Sequence, residues 1–285
     1  MEIAFRMVDV FTDRPLAGNQ LCVVPEAPHG LEPELMQALA REIGFSETTF
    51  VSEAAGDRYA MRIFTPGIEM PFAGHPTLGT AFVLVSEGRV TSPATQIVPA
   101  GEFSVEVDRA AGRARVLMQT FEFGAEVADR DRIARSVGLD EKDVDPAFPA
   151  RTVSTGNSHL IVVFRDEDAV GRAAPNREEI ERLLAEADAG GIYVVALSSG
   201  GRVKARMFAP DVGVMEDPAT GSAAGQLGAF LASEGGITGK VVIRQGHEVG
   251  RPSELHLEIL RRDDTFDVWV EGGVAVVGRG TFELP

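Results

Sequence analysis

A single cysteine, Cys22, occurs in the 285 residues, so no internal disulfide and no thiolate metal cage can form. Such usage suits the reducing cytoplasm, where the chain is expected to reside. Positive charge is scarce too: 27 lysines and arginines stand against 43 aspartates and glutamates, a formal net charge of −16. A field of that sign repels phosphate backbones and anionic bilayers, so neither nucleic acid nor membrane is an expected partner. It still leaves room for a locally positive pocket that takes a small anion. No apolar run approaches the ~20 residues that span a bilayer. The opening MEIAFRMVDVF lacks a basic stretch leading into an apolar core, so no signal peptide is expected. Also missing are a Gly-x-Gly-x-x-Gly turn after a strand, a phosphate-binding lysine loop and a compact His/acid cluster. No metal or organic cofactor is therefore expected.

What the chain does contain is a repeat. Arg62-Ile-Phe-Thr-Pro66 returns as Arg206-Met-Phe-Ala-Pro210. The stretch from Ala73 to Gly88 aligns without a gap on Thr220 to Gly235, both ending Ser-Glu-Gly, so that Gly74-His75 falls on Gly221-Ser222. Upstream, Gly18-Asn19 echoes Gly156-Asn157, each leading into an apolar strand; downstream, Phe103–Val107 and Leu255–Ile259 alternate alike. Two related halves follow, 1–120 and 121–285, with a last strand (Val274 to Phe282) able to cross back to the first half.

Within each half one helix is amphipathic. Glu32 to Ile43 has Pro33 in its first turn, an apolar face of Leu35, Met36, Leu39 and Ile43, and Gly44 as its stop. Arg177 to Ala187 is its counterpart. The other helix of each half, Thr77 to Val85 and Ala223 to Ala232, is apolar or small nearly all round. A helix without a polar face must be enclosed by protein, and the surrounding short alternating strands supply the wall. The expected fold is α+β: two pseudo-symmetric domains, each a barrel-like sheet around a central helix.

Duplicated folds tend to hold their ligand between the halves, where equivalent elements meet. Here these are the starts of the two apolar helices, whose free N–H groups and positive dipole ends favour a small carboxylate. Gly74 and Gly221 let that ligand come close to the backbone. His75 sits at the first start, while the other histidines (His29, His159, His247, His256) read as structural or surface residues. Asp217 and Ser222 bring a carboxylate and a hydroxyl to the second start, although both residue types also cap helices. Glu47 alternates onto one strand face with Phe45, Thr49 and Val51. The matching strand, Ile192 to Ala196, has no acid. A carboxyl among apolar groups is pushed up in pKa and can shuttle protons, though an exposed edge-strand glutamate fits the local pattern equally well.

These segments together resemble the phenazine-biosynthesis PhzF-like family. VDVFTDRPLAGNQLCVV, GFSETTFV, RIFTPGIEMPFAGHPTLG, GNSHLIVV and FAPDVGVMEDPATGSAAG follow in that family's order and cover nearly the whole chain. The resemblance implies the diaminopimelate-epimerase-like fold and a cofactor-independent isomerase, often homodimeric, that moves a proton on a small carboxylate, as in trans-2,3-dihydro-3-hydroxyanthranilate isomerase. It makes Glu47 the general acid/base, with His75, Asp217 and Ser222 supporting binding and proton movement. Gly74 and Gly221, together with Asn19 and Gln20, become substrate contacts. Related epimerases use two cysteines at the helix starts, which this composition excludes. Two alternatives stay open: an epimerase or racemase of an amino or hydroxy acid, and a catalytically silent binding protein on the same fold.

Overall fold

The computed structural model describes residues 1–210, 214–263 and 265–284. The Asp211-Val-Gly213 stretch of the FAPDVGVMEDPATGSAAG segment lies outside the described residues. The chain divides into two compact units, Met1–Leu117 with Glu271–Pro285, and Met118–Val270.

The first unit contains β1 (Glu2–Val10), β2 (Asn19–Val24), α1 (Pro33–Ile43), β3 (Glu47–Ala55), β4 (Arg58–Phe64), β5 (Glu69–Met70), α2 (Gly74–Ser86), β6 (Ala94–Val98), β7 (Gly101–Asp108) and β8 (Arg113–Met118). The second contains β9 (Glu122–Glu126), α3 (Arg130–Ser136), β10 (Arg151–Ser154), β11 (Ser158–Phe164), α4 (Glu167–Arg172), α5 (Arg177–Ala187), β12 (Gly191–Ser198), β13 (Arg202–Ala209), β14 (Val214–Asp217), α6 (Gly221–Gly235), β15 (Gly239–Gln245) and β16 (Ser253–Arg262). The last strand, β17 (Thr265–Glu283), begins in the second unit and ends in the first, where its residues 274–283 pair antiparallel with β1.

This is a mixed α/β fold with a closed eight-stranded barrel. From β17 the pairing runs to β1, β2, β3 and β4, then to β6, β7 and β8. β8 pairs with β17 and closes the ring. Two of these contacts, β2–β3 and β4–β6, are parallel and need a crossover. The crossovers are α1 and α2. In the second unit β11–β12 and β13–β15 are the parallel pairs, with α5 and α6 in the connections.

The two kinds of helix behave as their patterns demand. α1 has Pro33 in its first turn and ends on Gly44, which takes the left-handed conformation (φ 67°). It buries Met36, Leu39 and Ala40 in a cluster with Phe50 and Phe64. α5 is capped by Asn176 and buries Ile180, Leu183 and Leu184. By contrast, α2 is buried at every residue from Gly74 to Val85, and α6 from Gly221 to Ala232. Both begin earlier than the apolar pattern alone suggests. Pro76 is tolerated because the first turn has no intrahelical N–H bond to lose.

Gly79 is where α2 comes closest to the wall. A Cβ there would lie 2.5 Å from Leu21 Cδ2 and 2.9 Å from Val10 Cγ2. Its buried hydroxyls also face strands: Thr80 Oγ1 is 2.8 Å from Thr49 Oγ1, and Thr77 Oγ1 accepts from Gln96 Nε2 at 2.9 Å. The first half of β3 is buried on both faces, Phe50 toward α1 and Thr49 toward α2. Glu47 therefore faces the α2 side, since alternate residues share a face. Among the described residues, no helix is long and apolar enough to cross a membrane.

Gly79→Val inserts a branched side chain between α2 and two strands, and is expected to destabilise the protein by about 1–3 kcal/mol through overpacking. Urea unfolding measures it; a midpoint equal to the parent's would mean that α2 has slack.

Candidate functional site

The start of α2 gathers three side chains that the sequence separates. Parallel pairing sets Leu21 beside Glu47, which brings the first residue of β3 next to the first residues of β2. His75, second residue of α2, then reaches both strands. Its Nε2 lies 3.3 Å from Glu47 Oε2, and its Nδ1 lies 3.2 Å from Asn19 Nδ2. The His75 and Glu47 side chains are 4% and 15% exposed. Although the His75–Glu47 distance is short, Nε2 makes no aligned hydrogen bond, so the geometry is a close contact rather than a formed bond.

Burial governs the charge of this group. Loss of solvation lowers the His75 pKa from 6.5 to about 3, and a backbone hydrogen bond with Gln20 opposes the shift without overcoming it. The ring is therefore neutral at physiological pH and carries one proton. Which ring nitrogen holds that proton depends on whether the Asn19 amide presents its NH2 group or its oxygen to Nδ1. A carboxyl group and a neutral imidazole stand 3.3 Å apart. Glu47 thus has a polar neighbour where the strand pattern suggested an apolar setting.

The start of α6 carries a related pattern with different chemistry. Ser222, 3% exposed, has its Oγ 3.2 Å from Asn157 Nδ2, which donates to it. The repeat aligns Asn157 with Asn19 and Ser222 with His75, and the two pairs have equal separations within their own units. Asp217 ends β14, and its Oδ2 accepts from Thr220 Oγ1 at 2.6 Å. Gln245 Nε2 donates to the Asp217 carbonyl at 2.8 Å and to Thr220 Oγ1 at 3.1 Å. Neither Asp217 nor Ser222 caps the helix: the N-cap residue of α6 is Thr220 and that of α2 is Ala73, both without a side-chain capping bond.

The residues expected at the site from the sequence are Glu47, His75, Asp217, Ser222, Gly74, Gly221, Asn19 and Gln20. The structure brings Glu47, His75 and Asn19 together in the first unit, with Gln20 meeting His75 through its backbone. Gly74 and Gly221 open their helices. Asn157, Thr220 and Gln245 were missed as partners. Asn157 was signalled by the repeated Gly-Asn; Gln245 had no local signal at all. His159 is a satisfied interior residue, with Nδ1 2.7 Å from Gln226 Oε1 and a pKa lowered by burial to about 4. Cys22 lies in β2, fully buried, and burial raises its thiol pKa to about 12. Among the described residues, no group of three or more His, Cys, Asp or Glu side chains is placed to hold a metal ion.

A family model described as phenazine biosynthesis-like protein matches residues 8–280. The chain is 35% identical to the trans-2,3-dihydro-3-hydroxyanthranilate isomerase of Pseudomonas fluorescens, over 98% of each chain. It is 34% identical to an uncharacterized isomerase of Deinococcus radiodurans, over 95% of this chain and 92% of that one. The crystal structure of a phenazine biosynthesis protein of the PhzF family from Bacillus anthracis aligns at a TM-score of 0.86 and 29% identity, covering 100% of both chains.

Two outcomes test this description. A histidine whose folded pKa lies below its unfolded value stabilises fully above the unfolded value, and that contribution is lost as pH falls. For His75 the window runs from 6.5 down to about 3. Comparing urea midpoints across that range, His75→Gln should lack up to ~1.4 kcal/mol per pH unit of the parent's acid sensitivity. Identical pH profiles would mean that His75 is solvated. Separately, Cys22→Ser should keep the parent's turnover while losing about 1–3 kcal/mol of stability, the cost of a buried hydroxyl. A large loss of turnover at unchanged stability would reinstate thiol chemistry.

Proposed function

Because the chain belongs to the phenazine-biosynthesis-like family and is an isomerase, we propose that it moves a proton on a small carboxylate by general acid/base catalysis through Glu47, with no metal or organic cofactor. The observation that carries this reading is the 3.3 Å approach of Glu47 Oε2 to the buried, neutral His75. A carboxylate acting as base must take a proton from carbon and give it back. Glu47 accepts the proton from one carbon, the bonding pair shifts through an adjoining double bond, and Glu47 delivers the proton to a second carbon. A neutral imidazole alongside can lend or accept a hydrogen bond as the carboxyl changes state, at little electrostatic cost.

The other site residues take supporting roles. Backbone N–H groups at the Gly74 start of α2 are the proposed contacts to the substrate carboxylate, with Asn19 and Gln20, which meet His75, as further contacts; Gly221 holds the equivalent place at the start of α6. Asp217 and Ser222 contribute to binding and proton movement. The substrate type is that in the name of the Pseudomonas fluorescens relative, trans-2,3-dihydro-3-hydroxyanthranilate. We read the two units as pseudo-symmetric copies, each a barrel around one apolar helix, in a cytoplasmic homodimer. Matching parallel crossovers, β2–β3 with β11–β12 and β4–β6 with β13–β15, support the duplication.

Glu47→Gln is expected to retain the parent's melting behaviour and to lose at least ~10²-fold in turnover, the lower end of what a positioned acid/base supplies. The assay is isomerisation of that substrate by chelator-dialysed protein, with solvent deuterium traced in the product. Near-parental turnover in the variant would remove Glu47 from the mechanism; activity restored only by an added metal would remove cofactor independence.

A further inference from the structure

One ion pair is built into both units in the same place. Arg62 of β4 meets Glu69 of β5, Nε to Oε1 at 2.6 Å and Nη2 to Oε2 at 2.5 Å. Arg206 of β13 meets Glu216 of β14, Nε to Oε1 at 2.8 Å and Nη2 to Oε2 at 2.7 Å. Each guanidinium also lies over a phenylalanine ring, 5.1 Å from the Phe64 centroid and 4.9 Å from that of Phe208. The hairpins share a register, because Ile63 pairs with Met70 and Met207 pairs with Asp217. Glu69 precedes Gly74 by as many residues as Glu216 precedes Gly221, and Pro71 matches Pro218. What differs is the residue after the glutamate: Met70 in one unit, Asp217 in the other.

The second pair is the more deeply enclosed, with side chains 7% and 10% exposed against 32% and 33% for the first. Arg206 Nη1 also donates to the carbonyls of Ala173 at 2.6 Å, Val170 at 3.3 Å and Gly171 at 3.4 Å, which anchors it to the end of α4. An enclosed ion pair adds little net stability, since apolar residues of similar volume often do as well. What it supplies is direction, because two parallel N–H···O bonds admit a single geometry.

We propose that the Arg206–Glu216 pair is a positioning clamp for Asp217 and the Gly221-Ser222 start of α6, with Arg62–Glu69 as its counterpart before Gly74-His75. This rests on the reading of Asp217 and Ser222 as site residues. Glu216 is held by the fork of Arg206, so the next residue along the strand turns to the opposite face. Asp217 meets Thr220 there, and its carbonyl meets Gln245, before the chain enters α6. The clamp fixes where the carboxylate stands without touching it.

The test is the double variant Arg206→Met/Glu216→Leu, which removes both charges together and leaves no unpaired ion to unfold the chain. Arg206→Lys accompanies it, keeping the charge but not the fork. Three quantities are read besides the melting midpoint: hydrogen exchange of the Ala224 amide, which closes the first turn of α6 on the Thr220 carbonyl; the titration of the Asp217 carboxyl carbon; and kcat and KM on trans-2,3-dihydro-3-hydroxyanthranilate. The expected result is a midpoint close to the parent's, Ala224 exchange at least ~10-fold faster while Leu227 is unchanged, and a displaced Asp217 titration. Turnover should fall by roughly 10-fold with KM little altered, as misplacement of a working group does. Unchanged Ala224 exchange and Asp217 titration in the folded double variant would overturn the clamp. So would uniformly faster exchange along α6 with a lower midpoint, which is the signature of a purely structural pair. If the parent protein does not turn over this substrate, the substrate reading fails, while exchange and titration still decide the clamp.

Discussion

A helix with no polar face has to be enclosed on every side, and α2 and α6 impose that constraint on everything around them. Water cannot solvate Leu78, Phe82 or Leu84 of α2, or Leu227 and Phe230 of α6, without forfeiting about 1.5–3 kcal/mol for each large side chain. A flat sheet covers one face of a helix. Around α2 the strands instead close into a ring of eight, and its Gly79 allows the wall to approach. The amphipathic helices α1 and α5 face a lesser demand and each bury only one stripe of side chains.

Enclosure also decides the chemistry. A helix start that is buried carries its polar side chains into a region where charge is costly, and His75 is held neutral for that reason. Several of the polar groups that do enter are paired: Thr77 with Gln96, Thr80 with Thr49, His159 with Gln226. The Asn19–His75 and Asn157–Ser222 contacts follow the same rule at the two helix starts. One scaffold has thus been given two chemistries by changing single residues at matching positions. Histidine stands against serine, and Met70 stands against Asp217.

Much of this was legible in the sequence because it depends on local periodicity or on the repeat. α1 and α5 end at Ile43 and Ala187, as the stop signals and apolar stripes require. Glu47 shares a face with Thr49 because strands alternate, and that side proves to be the one turned to α2. Where a local pattern left more than one reading open, contacts beyond that pattern set the surroundings. Glu47 was expected among apolar groups, yet its close neighbour is His75, distant along the chain. Ser222 suits helix capping by residue type, yet Asn157, distant along the chain, engages it, while Asp217 meets Thr220 close by in sequence.

By itself the sequence determined which helices must be buried, where the repeat places Gly74-His75 against Gly221-Ser222, and that no pair of cysteines exists for thiol chemistry. These follow from composition and from periods of two and 3.6 residues, which any stretch of chain carries with it. Tertiary structure alone decided that β2 and β3 run parallel with Leu21 beside Glu47. It likewise decided that His75 Nε2 stops 3.3 Å from Glu47 and that Gln245 reaches back to Asp217. Such contacts join residues far apart along the chain, and their geometry is set only when the wall closes around the helix.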